Sequence, residues 1–166
     1  AIGLIAAAVQ AQAPAPTVHA AMKDGIAPAA AVLWEVSNGA MDDEGKADPK
    51  RLDAAKWARV AEAGQKMKDL SIALAMARDL KVVTAGGALQ DEGNPGGSTA
   101  AQVQGFIDAD PAGFADRSNK LAGVAGDFVA AAEAKDAAKL VELGGMLDQS
   151  CEDCHVKYWY PQQSQD

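Results

Sequence analysis

Aromatic side chains fill only 5% of this 166-residue chain, and the β-branched residues that favour strands are few and seldom alternate with polar ones. A sheet core needs such residues in period-two runs, so strands are not expected to build this protein. Positive charge is short as well, with 15 Lys and Arg against 23 Asp and Glu, a formal charge of −8. That balance argues against nucleic acid, whose phosphates require Lys and Arg. There are two histidines and two cysteines. Cys151 and Cys154 lie too close in sequence to staple a domain, so their spacing has a local meaning. No apolar run reaches the roughly 20 residues that a bilayer-spanning helix needs.

Alanine is abundant instead. It is the best helix former, and its small side chain lets helices approach closely. The length suits one domain with a buried core. An all-α fold is the expectation. The acidity fits a soluble protein whose partners present basic faces, with encounter steered by charge, although it could serve solubility alone.

The segment Ala1 to Val9 is apolar and uncharged, and Ala11-Gln12-Ala13 before Pro14-Ala15-Pro16 resembles a small-residue cleavage site. Residues 1–16 are expected to be an export-signal remnant, or else a retained membrane anchor, with a Pro/Ala linker. Both readings put the folded domain, residues 17–161, on the far side of the membrane, in the periplasm. Residues 162–166 form a polar tail.

From Thr17 onward the pattern is helical. Met22, Ile26, Ala29, Ala30 and Leu33 form one stripe, in which Pro28 should kink the helix or divide it. Asp48-Pro49 reads as the start of a second helix, with Trp57, Val60, Gly64, Met67, Leu70 and Leu74 on one face and an end near Lys81. Residues 92–98 are the clearest loop, and a short helix is expected over Ala100 to Ile107. Asp110-Pro111 opens a third long helix bearing Phe114, Leu121, Val124, Ala125 and Phe128. A turn at Lys135-Asp136 leads into a fourth that carries Leu140, Leu143, Leu147, Cys151, Cys154 and Tyr158, and Pro161 disfavours helix at Tyr160. Four apolar-striped helices describe an antiparallel four-helix bundle.

Cys151-Glu152-Asp153-Cys154-His155 is a C-x-x-C-H segment, the attachment signature of c-type haem. On a helix, positions i, i+3 and i+4 share a face, so two thiols reach one porphyrin edge while the imidazole turns to the iron. A thioredoxin-like C-x-x-C belongs near a βαβ pattern, and a structural zinc needs about four ligands. Neither suits this chain, and a surface disulfide between Cys151 and Cys154 in an oxidising compartment is the remaining alternative.

Beyond Lys157 the tail offers no soft or imidazole ligand, so a second axial ligand must come from earlier in the chain. The candidates are His19, Met22, Met41, Met67, Met76 and Met146. Met146 shares a helix with His155, Met41 sits in an acidic loop, Met67 reads as core filler and Met76 lies off the stripe. Met22 on the first helix comes first, His19 second, and an iron with no sixth ligand third. Trp159, four residues past His155, either packs at the haem edge or seals the end of the fold.

With C-x-x-C-H on the last helix, Met22-Lys23-Asp24-Gly25-Ile26-Ala27-Pro28 continuing to Leu33-Trp34, and the ending Cys-His-Val-Lys-Tyr-Trp-Tyr-Pro, the chain resembles the class II c-type cytochromes, the cytochrome c-556 and cytochrome c′ group. The resemblance covers about Val18 to Pro161. It implies a four-helix bundle with one covalent haem c on Cys151 and Cys154, iron on His155, and a first-helix methionine, here Met22, as sixth ligand. The glycine-rich loop around Pro95 is longer than that group leads one to expect. The implied role is single-electron transfer between redox partner proteins, not enzymatic catalysis. The alternatives are a five-coordinate protein that binds NO or CO, and a haem subunit anchored in a larger membrane complex by Ala1 to Val9. Such bundles often form homodimers, but no exposed stripe in this sequence demands one.

Overall fold

A computed structural model describes residues 16–90 and 92–161, and within them the chain is helical, with one isolated bridge between Met41 and Ala47 in place of any strand. The export-signal or anchor expectation for Ala1 to Val9 and the polar tail 162–166 lie outside the described residues. Among those described, no helix is long and apolar enough to cross a membrane.

The elements run in the order α1 (Val18–Ala21), a π-helical turn (Met22–Ile26), α2 (Ala27–Gly39), α3 (Ala54–Met76), α4 (Ala100–Ala109), α5 (Pro111–Ala134) and α6 (Ala137–Tyr158). Helix starts follow capping chemistry. The side chains of Thr17, Asp53, Thr99, Asp110 and Asp136 each accept from a backbone N–H in the first turn of α1, α3, α4, α5 and α6 respectively. Thr99 and Gln102 complete a reciprocal capping box. Between α5 and α6, Lys135 takes the left-handed conformation (φ 53°), which reverses the chain in two residues.

One sequence expectation is refined by the structure and two need correction. The division expected at Pro28 takes the form of a π turn between α1 and α2, not of a break in the chain's helical path. Pro28 cannot donate to the Asp24 carbonyl, and the backbone widens into the π turn, with the Ala27 N–H bonding to the Met22 carbonyl. Lys66 Nζ then donates to the freed Asp24 carbonyl at 3.2 Å. Asp48-Pro49 opens only a short 3-10 turn, Pro49–Arg51, and α3 starts at Ala54 under the Asp53 cap because Leu52 is extended and turned into the core. Finally, α3 ends at Met76 instead of near Lys81, since the backbone of 80–82 is bonded elsewhere.

Each long helix packs against two others: α2 against α3 and α6, and α5 against α3 and α6. Adjacent pairs run antiparallel. Glu35 meets Arg59 while Asp24 meets Lys66, so α3 descends beside the ascending first helix. Trp34 Nε1 donates to the Gly144 carbonyl at 3.3 Å, joining α2 to α6. At Gly64 the backbones of α3 and α5 come so close that a Cβ would lie 3.0 Å from the Ala125 carbonyl oxygen. Phe128, Leu33, Met67, Leu140, Leu143 and Leu147 are fully buried between these helices. Each contributes about 1.5–3 kcal/mol by leaving water. Small residues elsewhere on the facing stripes allow this closeness.

Candidate functional site

A cavity of about 420 Å³ opens at the end of the helix array where the first helix begins and α6 ends. Cys151, Cys154 and His155 line it from α6, and His19, Met22 and Ile26 line it from the first helix and its π turn. Ser71 and Leu74 of α3, Val103 and Ile107 of α4, and Phe114 and Arg117 of α5 complete most of the wall. The sequence-predicted site residues therefore meet around one space, and both candidate sixth ligands, Met22 and His19, share it.

The other methionines do not reach this wall. Met67 is fully buried in the core, Met76 is 67% exposed, Met146 is 38% exposed, and Met41 lies in the bridged loop.

α6 is fixed against α5 at the motif. Arg117 Nε donates to the Asp153 carbonyl at 3.2 Å, inside the C-x-x-C-H turn. The Tyr158 hydroxyl donates to the Asp110 carbonyl at 3.2 Å, and Lys157 pairs with the Asp110 carboxylate. Phe114 meets the Tyr158 ring edge-on at 5.4 Å. These contacts hold the last turns of α6 in one register, so the thiols and imidazole face the cavity together.

Electrostatics distinguish among the chemistries that a Cys-x-x-Cys pair can serve. Both thiols are free, and burial pushes each up to about 11. For Cys151 the Asp148 carboxylate adds to that shift. Burial therefore works against the thiolate form that disulfide exchange and nucleophilic chemistry use. Burial also holds His155 below its ordinary value, leaving the imidazole neutral at pH 7 and able to ligate a metal. Trp159 stands edge-on to that ring, with centroids 4.9 Å apart and planes at 84°, and restricts its rotation. Among the described residues there is no cluster of three or more His, Cys, Asp or Glu that could hold a metal ion.

The wall fits a large, mainly apolar, anionic group that carries its own metal ligands. Its volume lies in the range of small-molecule and cofactor sites. Among the described residues no Asp or Glu lines it, whereas Lys23 and Arg117 do. Two polar atoms of the wall, His19 Nε2 and Ser71 Oγ, are buried without a hydrogen-bond partner among the described residues. A buried polar atom left so is costly unless a water or a bound group supplies the partner. A haem, with its apolar macrocycle, carboxylates and iron, meets these demands.

Neither family models, curated proteins nor solved structures give a match to this chain. The site is therefore read from its own geometry.

Sequence reasoning missed Ser71, Arg117 and the wall contributed by Val82 and Leu89. Arg117 lies one turn beyond Phe114 on the same side of α5, a signal that helical spacing could have given. Val82 and Leu89 lie in a stretch without periodicity, and no sequence pattern places them.

Proposed function

We propose that this protein is a monohaem c-type cytochrome that passes single electrons between redox partner proteins. The carrying observation is that the C-x-x-C-H face of α6 and the Met22 and His19 side of the first helix line the same cavity. The arrangement of α2, α3, α5 and α6, each touching two antiparallel neighbours, supports an antiparallel four-helix bundle with the cofactor at one end.

Cys151 and Cys154 are the residues that would attach to a haem c, and His155 and Met22 are those that would hold its iron. When bound, the haem supplies an iron that exchanges one electron between ferric and ferrous states. The chain's own contribution is to hold and shield. Arg117 and Asp110 lock the motif turn, Trp159 orients the His155 ring, and Ile26, Leu74, Val103, Ile107 and Phe114 keep water from the apolar wall. The acidic surface suits partners with basic docking faces, and a periplasmic location suits a covalently retained cofactor.

The test is an absorption spectrum of protein matured with a haem-attachment system, oxidised and reduced, with CO added to the reduced form. A low-spin spectrum with a weak far-red ferric–methionine band, lost in Met22→Ala, supports the reading. A high-spin spectrum that shifts with CO makes gas binding the function. No covalent haem at Cys151 and Cys154 overturns both.

A further inference from the structure

The first turn of α1 carries His19 and leads directly into the π turn that carries Met22. A helix N-terminus leaves N–H groups without intrahelical partners. Here they are taken up from two directions. The Thr17 side chain accepts from Ala20 N–H at 3.2 Å, while the Val18 and His19 N–H groups donate to the Lys81 and Val82 carbonyls, each at 2.9 Å. The position of the turn therefore depends on a segment with no secondary structure of its own.

The start of that segment is bonded to a side chain of α4. Gln104 on α4 accepts from the Val82 N–H through Oε1 at 2.9 Å and donates from Nε2 to the Leu80 carbonyl at 3.1 Å. Its amide spans residues 80 and 82 as a neighbouring strand would, leaving the carbonyls of 81 and 82 for α1. Val82 is buried against the cavity, and α4 itself lines the cavity through Val103 and Ile107. Further along, the Glu92 carboxylate accepts from the Leu89 and Ala100 N–H groups, at 3.0 and 3.2 Å, tying the far end of the same segment to the start of α4.

We propose that Gln104 is a positioning residue for the face opposite His155: through the Leu80–Val82 backbone it fixes the α1 turn, and with it His19 and Met22, over the cavity. It touches neither the cofactor nor either ligand. Its consequence at the iron rests on the function proposed above, whereas its hold on the backbone does not.

The test compares Gln104→Leu with wild type in the full chain, matured with haem. Losing both amide bonds should speed hydrogen exchange at the Val82, Val18 and His19 amides on the order of tenfold, with amides in the middle of α5 and α6 unchanged. The rate of CO binding to the reduced protein should rise by a similar factor. Gln104→Glu keeps the acceptor for the Val82 N–H and loses the donor to Leu80, so it should fall between the two and also serves if the leucine variant folds poorly. Asp108→Ala removes the other Gln104 contact, 2.9 Å from Nε2, and should behave as wild type in both measurements. Wild-type exchange at the three amides in both Gln104 variants overturns the proposal, and so does faster exchange with CO binding unchanged. If the wild-type protein carried no haem, the functional reading would fall and the exchange comparison alone would decide the latch.

Discussion

Glycine-to-alanine substitutions at Gly64 and Gly123 should shift stability in opposite directions, although both lie in helix interiors. Alanine is favoured over glycine within a helix by about 0.8–1.0 kcal/mol. At Gly123 on α5 an added Cβ would meet no atom within 4 Å, so that gain should appear undiminished. At Gly64 the same Cβ would lie 3.0 Å from the Ala125 carbonyl oxygen, 3.0 Å from Val129 Cγ2 and 3.4 Å from Phe128 Cβ. The first of these is helix backbone and Phe128 is fully buried, so α3 and α5 must move apart. Overpacking of this kind costs about 1–3 kcal/mol. Gly64→Ala should therefore be no more stable than wild type and up to about 2 kcal/mol less stable, a gap from Gly123→Ala of about 1–3 kcal/mol. Thermal unfolding reads this directly, since 1 kcal/mol moves Tm by about 2–4 °C in a domain of this size. Both variants must carry the same cofactor load, because a bound group shifts apparent stability. If Gly64→Ala gained as much as Gly123→Ala, the close approach of α3 and α5 would be wrong, and with it the packing that sets the cavity wall.

Other expectations follow from the site. Tyr158→Phe keeps the edge-on contact with Phe114 but removes the hydroxyl bond to the Asp110 carbonyl, so urea unfolding should show a loss of about 1 kcal/mol; an unchanged midpoint would mean that this bond does not hold α6. In the chain before cofactor attachment, thiols moved from 9.0 to about 11 expose about a hundredfold less thiolate near neutral pH. Alkylation should be slower by that order than in a peptide of residues 149–157, and equal rates would refute the burial. Hydrogen bonding from Lys157, then from the Gly113 N–H, holds the Asp110 carboxyl below its ordinary 3.8. The sign follows from linkage: the contribution is fully present above pH 3.8 and is lost as the pH falls through the lowered folded value. Asp110→Asn should flatten the acid limb of the stability curve in that window, and an identical limb would mean that the ion pair does not form in solution.

The sequence by itself determined the helical class and the chemistry-bearing face. Alanine-rich 3.6-period stripes, with Asp and Thr at their starts, leave little choice of secondary structure, because propensity, capping and burial all favour the same conformation. The i, i+3, i+4 spacing of Cys151, Cys154 and His155 places them on one side of α6 whatever α6 packs against. What covers that side could not be read locally. Pro28 looks like a break until Lys66 in α3 takes the carbonyl of Asp24, 42 residues before it, and a π turn absorbs the proline. Helix α3 looks able to continue to Lys81 until α1 and Gln104 claim the backbone of residues 80–82. Ser71 and Arg117 become site residues only because α3 and α5 bring them to the same cavity. Local bonds fix the elements, but the partners of unpaired backbone groups are chosen by segments distant in sequence, and only the folded chain brings those segments together.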